Sequence, residues 1–127
     1  MQWKRRRKPF LQTSKPKRSE IWLINWNPGR GSEQTGFRPS LIIQTDAGNT
    51  NPYYPNTIIL TMSTKGRIVP FHIRIEPSEK NGLKGISFVK CEQILTISKE
   101  RLVNKIGSLE QEKMKQVEKA LQLVLSL

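Results

Sequence analysis

The apolar and polar positions of the chain fall into several short runs of period two and one long run of period near three and a half. In residues 20–27, EIWLINWN, Trp22, Ile24 and Trp26 occupy alternate positions, the signature of a strand with one buried face. Pro28, Gly29, Gly31 and Gly36 then break the pattern into a loop. Further β-rich runs follow at 40–45 (SLIIQT), 57–63 (TIILTMS), 68–75 (IVPFHIRI) and 86–97 (ISFVKCEQILTI), with a last short strand predicted at 101–107. The intervals are too short for crossovers of about a dozen helical residues, so the pattern predicts a mainly β fold, a small antiparallel barrel or sandwich. The C-terminal stretch changes period. Met114, Val117, Leu121 and Val124 recur three or four apart, and Ser108 with Gln111 reads as a capping box, so one amphipathic helix closes the chain.

Composition adds two constraints. At 127 residues, 35% of them apolar, the chain holds one modest core. Its net charge of +12 is concentrated at one end: residues 1–20 carry eight Lys or Arg and one acid, residues 21–127 fourteen and nine. A polyanionic partner is implied, nucleic acid being the commonest. Residues 1–19 combine basic runs with two prolines and almost no apolar periodicity, so they are expected to be a flexible basic tail ahead of a domain at 20–127. No run of about 18 apolar residues is available to span a bilayer, and the basic N-terminus lacks a signal peptide's apolar stretch, so a cytoplasmic protein without membrane contact is expected. With one cysteine, Cys91, and one histidine, His72, the chain has no disulfide pair and no zinc-ligand cluster; metal-free, cofactor-free chemistry is expected.

Five positions carry candidate chemistry. Arg38 precedes Pro39, whose ring forces it into an extended conformation, so its guanidinium leaves from a stiff base. Its five donors suit a phosphate, above all a phosphorane whose extra charge appears only in the transition state; the alternative is an ordinary surface arginine. His72 is available as a general base, but its place in a strand fits a structural histidine better. Cys91 beside Lys90 is read as a buried strand cysteine rather than a nucleophile. Trp22 and Trp26 are available to stack on bases, although two tryptophans on one strand face more often build a core or a dimer interface.

IWLINWNPGRGSEQTGFRPSLIIQTDAGN and FVKCEQILTISKERLVNKIG together resemble the MazF/PemK (Kid-type) toxins of bacterial toxin-antitoxin systems, over roughly residues 20–127. The resemblance implies an SH3-like small β-barrel with appended helix, a homodimer, and a sequence-specific, metal-independent ribonuclease acting on single-stranded RNA. It implies Arg38 and Thr64 as catalytic residues, Gly31, Ser32, Glu33 and Gln34 as a loop covering the bound RNA, and Glu92 and Gln93 as part of the base-reading surface. An acidic, partly disordered cognate antitoxin is the implied protein partner. Ser63 and Thr61 are alternatives to Thr64 should the alignment of TMSTK shift. Two other functions remain open on sequence grounds: a DNA gyrase poison of the related CcdB type, which the C-terminal LVLSL argues against, and a nucleic-acid-binding module without catalysis.

RNA cleavage through its own 2′-hydroxyl requires that oxygen deprotonated, the phosphorane stabilised and the leaving 5′-oxygen protonated. Arg38 can supply the charge, and Thr64 a hydrogen bond to a non-bridging oxygen. The general base stays open: arginine is a poor base, and Glu33 is one candidate for that role.

Overall fold

The computed structural model describes residues 15–27 and 36–127. Six strands, β1 (Glu20–Asn25), β2 (Phe37–Ile42), β3 (Asn56–Ser63), β4 (His72–Ile75), β5 (Ser87–Ser98) and β6 (Leu102–Ser108), form one antiparallel sheet in the order β4-β5-β3-β2-β1-β6. A short helix α1 (Asp46–Asn49) links β2 to β3, and α2 (Gln111–Leu125) follows β6. The sheet is barrel-like but not closed, because β4 and β6 remain as edges.

Both faces of the central strands are covered, which explains why β3 reads as a continuous apolar run instead of alternating. On one face Leu41, Leu60, Val89 and Ile75 meet Met114, Val117 and Ala120 of α2. On the other, Trp22, Ile24, Ile42, Ile59, Ile97 and Leu102 make a second cluster against which Trp26 packs. The tryptophans therefore serve the interior. Register shifts where β1 meets β6, and between Leu60 and Thr61 of β3, mark bulges that bend the sheet.

Three details differ from the sequence pattern. The packed body starts before Glu20: Pro16 is buried, the Arg18 guanidinium reaches the Ile43 carbonyl and Glu118, and Ser19 bridges β2 and Leu109 through its amide and carbonyl. Residues 68–71 are loop rather than strand, and β2 begins at Phe37, so Arg38 lies inside it. The predicted capping box does not form. Ser108 pairs with Glu20 in the sheet, and the N-cap is Glu110, whose carboxylate takes hydrogen bonds from Ser78 and Asn81 at 2.5 and 3.2 Å instead of capping the helix.

Candidate active site

Cross-strand partners share a sheet face, so the registers show what stands beside Arg38. Arg38 is opposite Ile24 of β1, and two residues on, Ser40 lies between Trp22 and Thr61. Carrying the β2–β3 register two residues past that pair sets Arg38 opposite Ser63. Across β5, Ser63 and Thr61 face Phe88 and Lys90, which in turn face Arg74 and His72 of β4. One face thus carries an exposed arginine, three hydroxyls, Lys90, His72 and Arg74, beside the second apolar cluster, two of whose members, Trp22 and Ile24, pair with Ser40 and Arg38.

Glu92 and Gln93 occupy the β5 bulge. Leu60 pairs with Ile94 but the next residue, Thr61, pairs with Lys90, leaving residues 91–93 without partners on β3. The bulge turns Gln93 onto the Thr61 hydroxyl and Glu92 onto His72, at 2.8 Å from Oε2 to Nε2. The other imidazole nitrogen, Nδ1, accepts the Arg67 amide at 3.0 Å, which makes Nε2 the protonated nitrogen and the donor to Glu92. Burial opposes ionisation of Glu92, but the His72 hydrogen bond, a backbone amide and the electrostatic pull of His72 and Lys90 outweigh it and hold its pKa below the usual carboxylate value. With its side chain 5% exposed and both nitrogens engaged, His72 positions the bulge and the loop before β4.

The remaining sequence-derived residues divide three ways. Thr64 is exposed one residue past the end of β3, whereas strand alternation puts Ser63 on Arg38's side; the Ser63 Oγ accepts the Lys65 amide at 3.1 Å and keeps its own proton to donate. Gly31, Ser32, Glu33 and Gln34 lie outside the described residues. Cys91 is buried, and burial followed by the Glu92 charge pushes its thiol up to about 12, which removes it as a nucleophile. Among the described residues no three His, Cys, Asp or Glu side chains converge as metal ligands, and no helix is long and apolar enough to cross a membrane. The His72–Glu92 pair was beyond sequence reasoning because twenty residues separate its members; the apolar-polar slip at CEQIL was its one visible trace.

Comparison with known proteins gives the family and the fold. A family model described as PemK-like, MazF-like toxin of type II toxin-antitoxin system matches residues 17–125. The chain is 38% identical over 113 residues to the endoribonuclease EndoA of Bacillus subtilis, covering 87% of this chain and 95% of that protein. Its fold is similar to a mycobacterial endoribonuclease solved with its cognate antitoxin, at TM-score 0.72 and 23% identity over 88% of this chain and 96% of that one. It is equally similar to MazF of Deinococcus radiodurans, at TM-score 0.72 and 19% identity over 90% and 99% of the two chains.

Proposed function

The chain belongs to the PemK-like, MazF-like toxins of type II toxin-antitoxin systems and is an endoribonuclease, and we propose that it cuts single-stranded RNA at Arg38, metal-independently, through the RNA's own 2′-hydroxyl. The observation that carries the reading is an exposed guanidinium, anchored before a proline on a sheet face, with the hydroxyl-bearing end of β3 beside it. In the reaction the 2′-oxygen gives up its proton and bonds to phosphorus. The bond from phosphorus to the 5′-oxygen breaks, and that oxygen takes a proton, leaving a 2′,3′-cyclic phosphate and a 5′-hydroxyl. Arg38 neutralises the phosphorane oxygens, and its planar fork can meet two of them at once. A hydroxyl at the end of β3 donates to a non-bridging oxygen; resemblance assigns Thr64, and alternation favours Ser63.

Selection among RNA sequences falls to the Gly31–Gln34 segment with Glu92 and Gln93. The active species is a homodimer, and an acidic antitoxin segment binds the same basic face that RNA uses, as charge complementarity requires. The test is cleavage of end-labelled single-stranded RNA by purified protein in EDTA, with mapped ends, beside a copy bearing one 2′-deoxy residue at the cut. Cleavage in EDTA and resistance of the deoxy copy are expected. A cut deoxy copy would mean that water attacks, and the mechanism would fall.

A further inference from the structure

The main-chain pairing of β6 with β1 slips between Leu23 and Ile24 and ends at the Ile24–Leu102 pair, so the carbonyls beyond it have no β6 backbone partner. Arg101 takes them: its Nη1 donates to the Asn25 carbonyl at 3.0 Å and to the Asn27 carbonyl at 3.2 Å. We propose that Arg101 is a positioning residue for Arg38, fixing the strand end against which the first residues of β2 are aligned. The inference rests on the proposed cleavage at Arg38 and adds what holds that arginine in place.

Four observations lead there. On the other edge of β1, Asn25 pairs with Phe37 and Ile24 with Arg38. Past those pairs the two chains stay tied, the Trp26 amide to the Gly36 carbonyl at 2.8 Å and the Gly36 amide to Asn27 Oδ1 at 2.9 Å. Residues 25–27 are therefore gripped between Arg101 and the two residues that lead into Arg38. The clamp itself has a stiff base. Arg101 closes a single 3-10 turn, Lys99–Arg101, whose Glu100 amide donates to the Ser98 hydroxyl at 3.2 Å. Its neighbour Lys99 is buried, with Nζ bonded to the Gly48 and Asn51 carbonyls at 3.0 and 3.2 Å. The strand end has no polar anchor of its own in Trp26, whose indole N–H is buried without a partner among the described residues. Finally, the Arg101 guanidinium meets no carboxylate among the described residues, so its charge is directed at two neutral carbonyls. Such charge-assisted bonds are roughly twice as strong as neutral ones.

The experiment compares four full-length proteins: wild type, Arg101→Met, which keeps the aliphatic stem and removes the donors, Arg101→Lys, which keeps a charged donor on a shorter stem, and Met114→Ala, a core variant under α2. Each is followed by thermal melting and, well below every melting temperature, by single-turnover cleavage of one labelled RNA over a range of protein concentrations. Arg101→Met should lower the saturating rate by about 10- to 100-fold with the half-saturating concentration little changed, the scale of misplacing a reacting group by about 1 Å. Arg101→Lys should recover part of that rate, and Met114→Ala should melt earlier yet keep it. Wild-type rates in both Arg101 variants overturn the proposal. A loss confined to the half-saturating concentration also overturns it, because Arg101 would then touch the RNA itself. So does an equal fall in rate for Met114→Ala, because lost stability would account for both. Should Arg101→Met not fold, Arg101→Lys decides alone: a slower saturating rate supports the proposal and a wild-type rate overturns it. An inactive wild type, or an Arg38→Ala variant with normal cleavage, would instead sink the parent reading.

Discussion

Arg38 shares its sheet face with Ser40, Thr61 and Ser63, yet these hydroxyls are not equivalent. Ser40 is fully buried between Trp22 and Thr61, and the Thr61 hydroxyl is committed to Gln93. Ser63 alone of the three is at the strand end with a proton to give. Ser63→Ala is therefore expected to lower kcat by on the order of 100-fold, as for loss of one transition-state donor, and Thr64→Val by less. Single-turnover cleavage of a labelled RNA ranks the two, and the reverse order would restore Thr64 to the role. Arg38→Ala and Arg38→Lys should both remove most activity without loss of the fold, because lysine keeps the charge and loses the fork. Near-normal cleavage by the lysine variant would show that charge alone suffices. Cys91 supplies a simpler check: with its thiol raised to about 12, native protein should resist iodoacetamide at pH 8 and react only after unfolding.

At the scale of elements, α2 is held by packing rather than by its cap. Glu110 spends its carboxylate on Ser78 and Asn81, so the helix start lacks a side-chain cap and docking rests on Met114, Val117 and Ala120. Met114→Ala should cost about 2 to 5 kcal/mol in urea unfolding, the usual range for emptying a core methionine site. The same element shows what the sequence could and could not disclose. Period three to four along MKQVEKALQLV identified the helix and its buried face because burial imposes that spacing directly. Its start was misplaced because Ser108 and Gln111 satisfy the capping pattern locally, while Ser108 is claimed by pairing with Glu20, a contact 88 positions away in the chain. The extended backbone of Arg38 was legible for a local reason, the proline after it. The β5 bulge, the His72–Glu92 pair and the Arg101 clamp were not, since each depends on strands brought together only by the sheet. The bulge has its own pH signature. Glu92 has a folded pKa below its unfolded one, so its contribution is present above the unfolded carboxylate pKa and disappears as pH falls through the folded value. Glu92→Gln should remove that acid-side loss, measured as a flatter Tm against pH below about pH 4.5.

For the whole molecule the question is where the basic charge acts. Lys4, Arg5, Arg6, Arg7 and Lys8 stand in residues 1–14, ahead of the described body, while Arg18, although part of the same basic run in sequence, is committed to Glu118 at 2.9 Å and to the Ile43 carbonyl. A truncation at Ser19 would therefore remove both a charge cluster and a packed segment that includes buried Pro16, and would confuse RNA affinity with stability. Starting the chain at Lys15 separates them. Counterion release on single strands gives about 0.7 in the slope of log K against log salt per neutralised phosphate, so if about half of the five charges reach RNA the slope should flatten by about 2. Phosphate contacts carry no direct sequence information, so the cut motif should stay the same. Binding of a labelled RNA to both proteins over a salt series, with mapped ends from each, tests this. Equal slopes would leave residues 1–14 without an RNA role, and an altered motif would mean that they read bases. The Lys15 start should also keep the parent's melting temperature, because the Arg18 clamp to α2 and the Ser19 bridge to β2 both survive it.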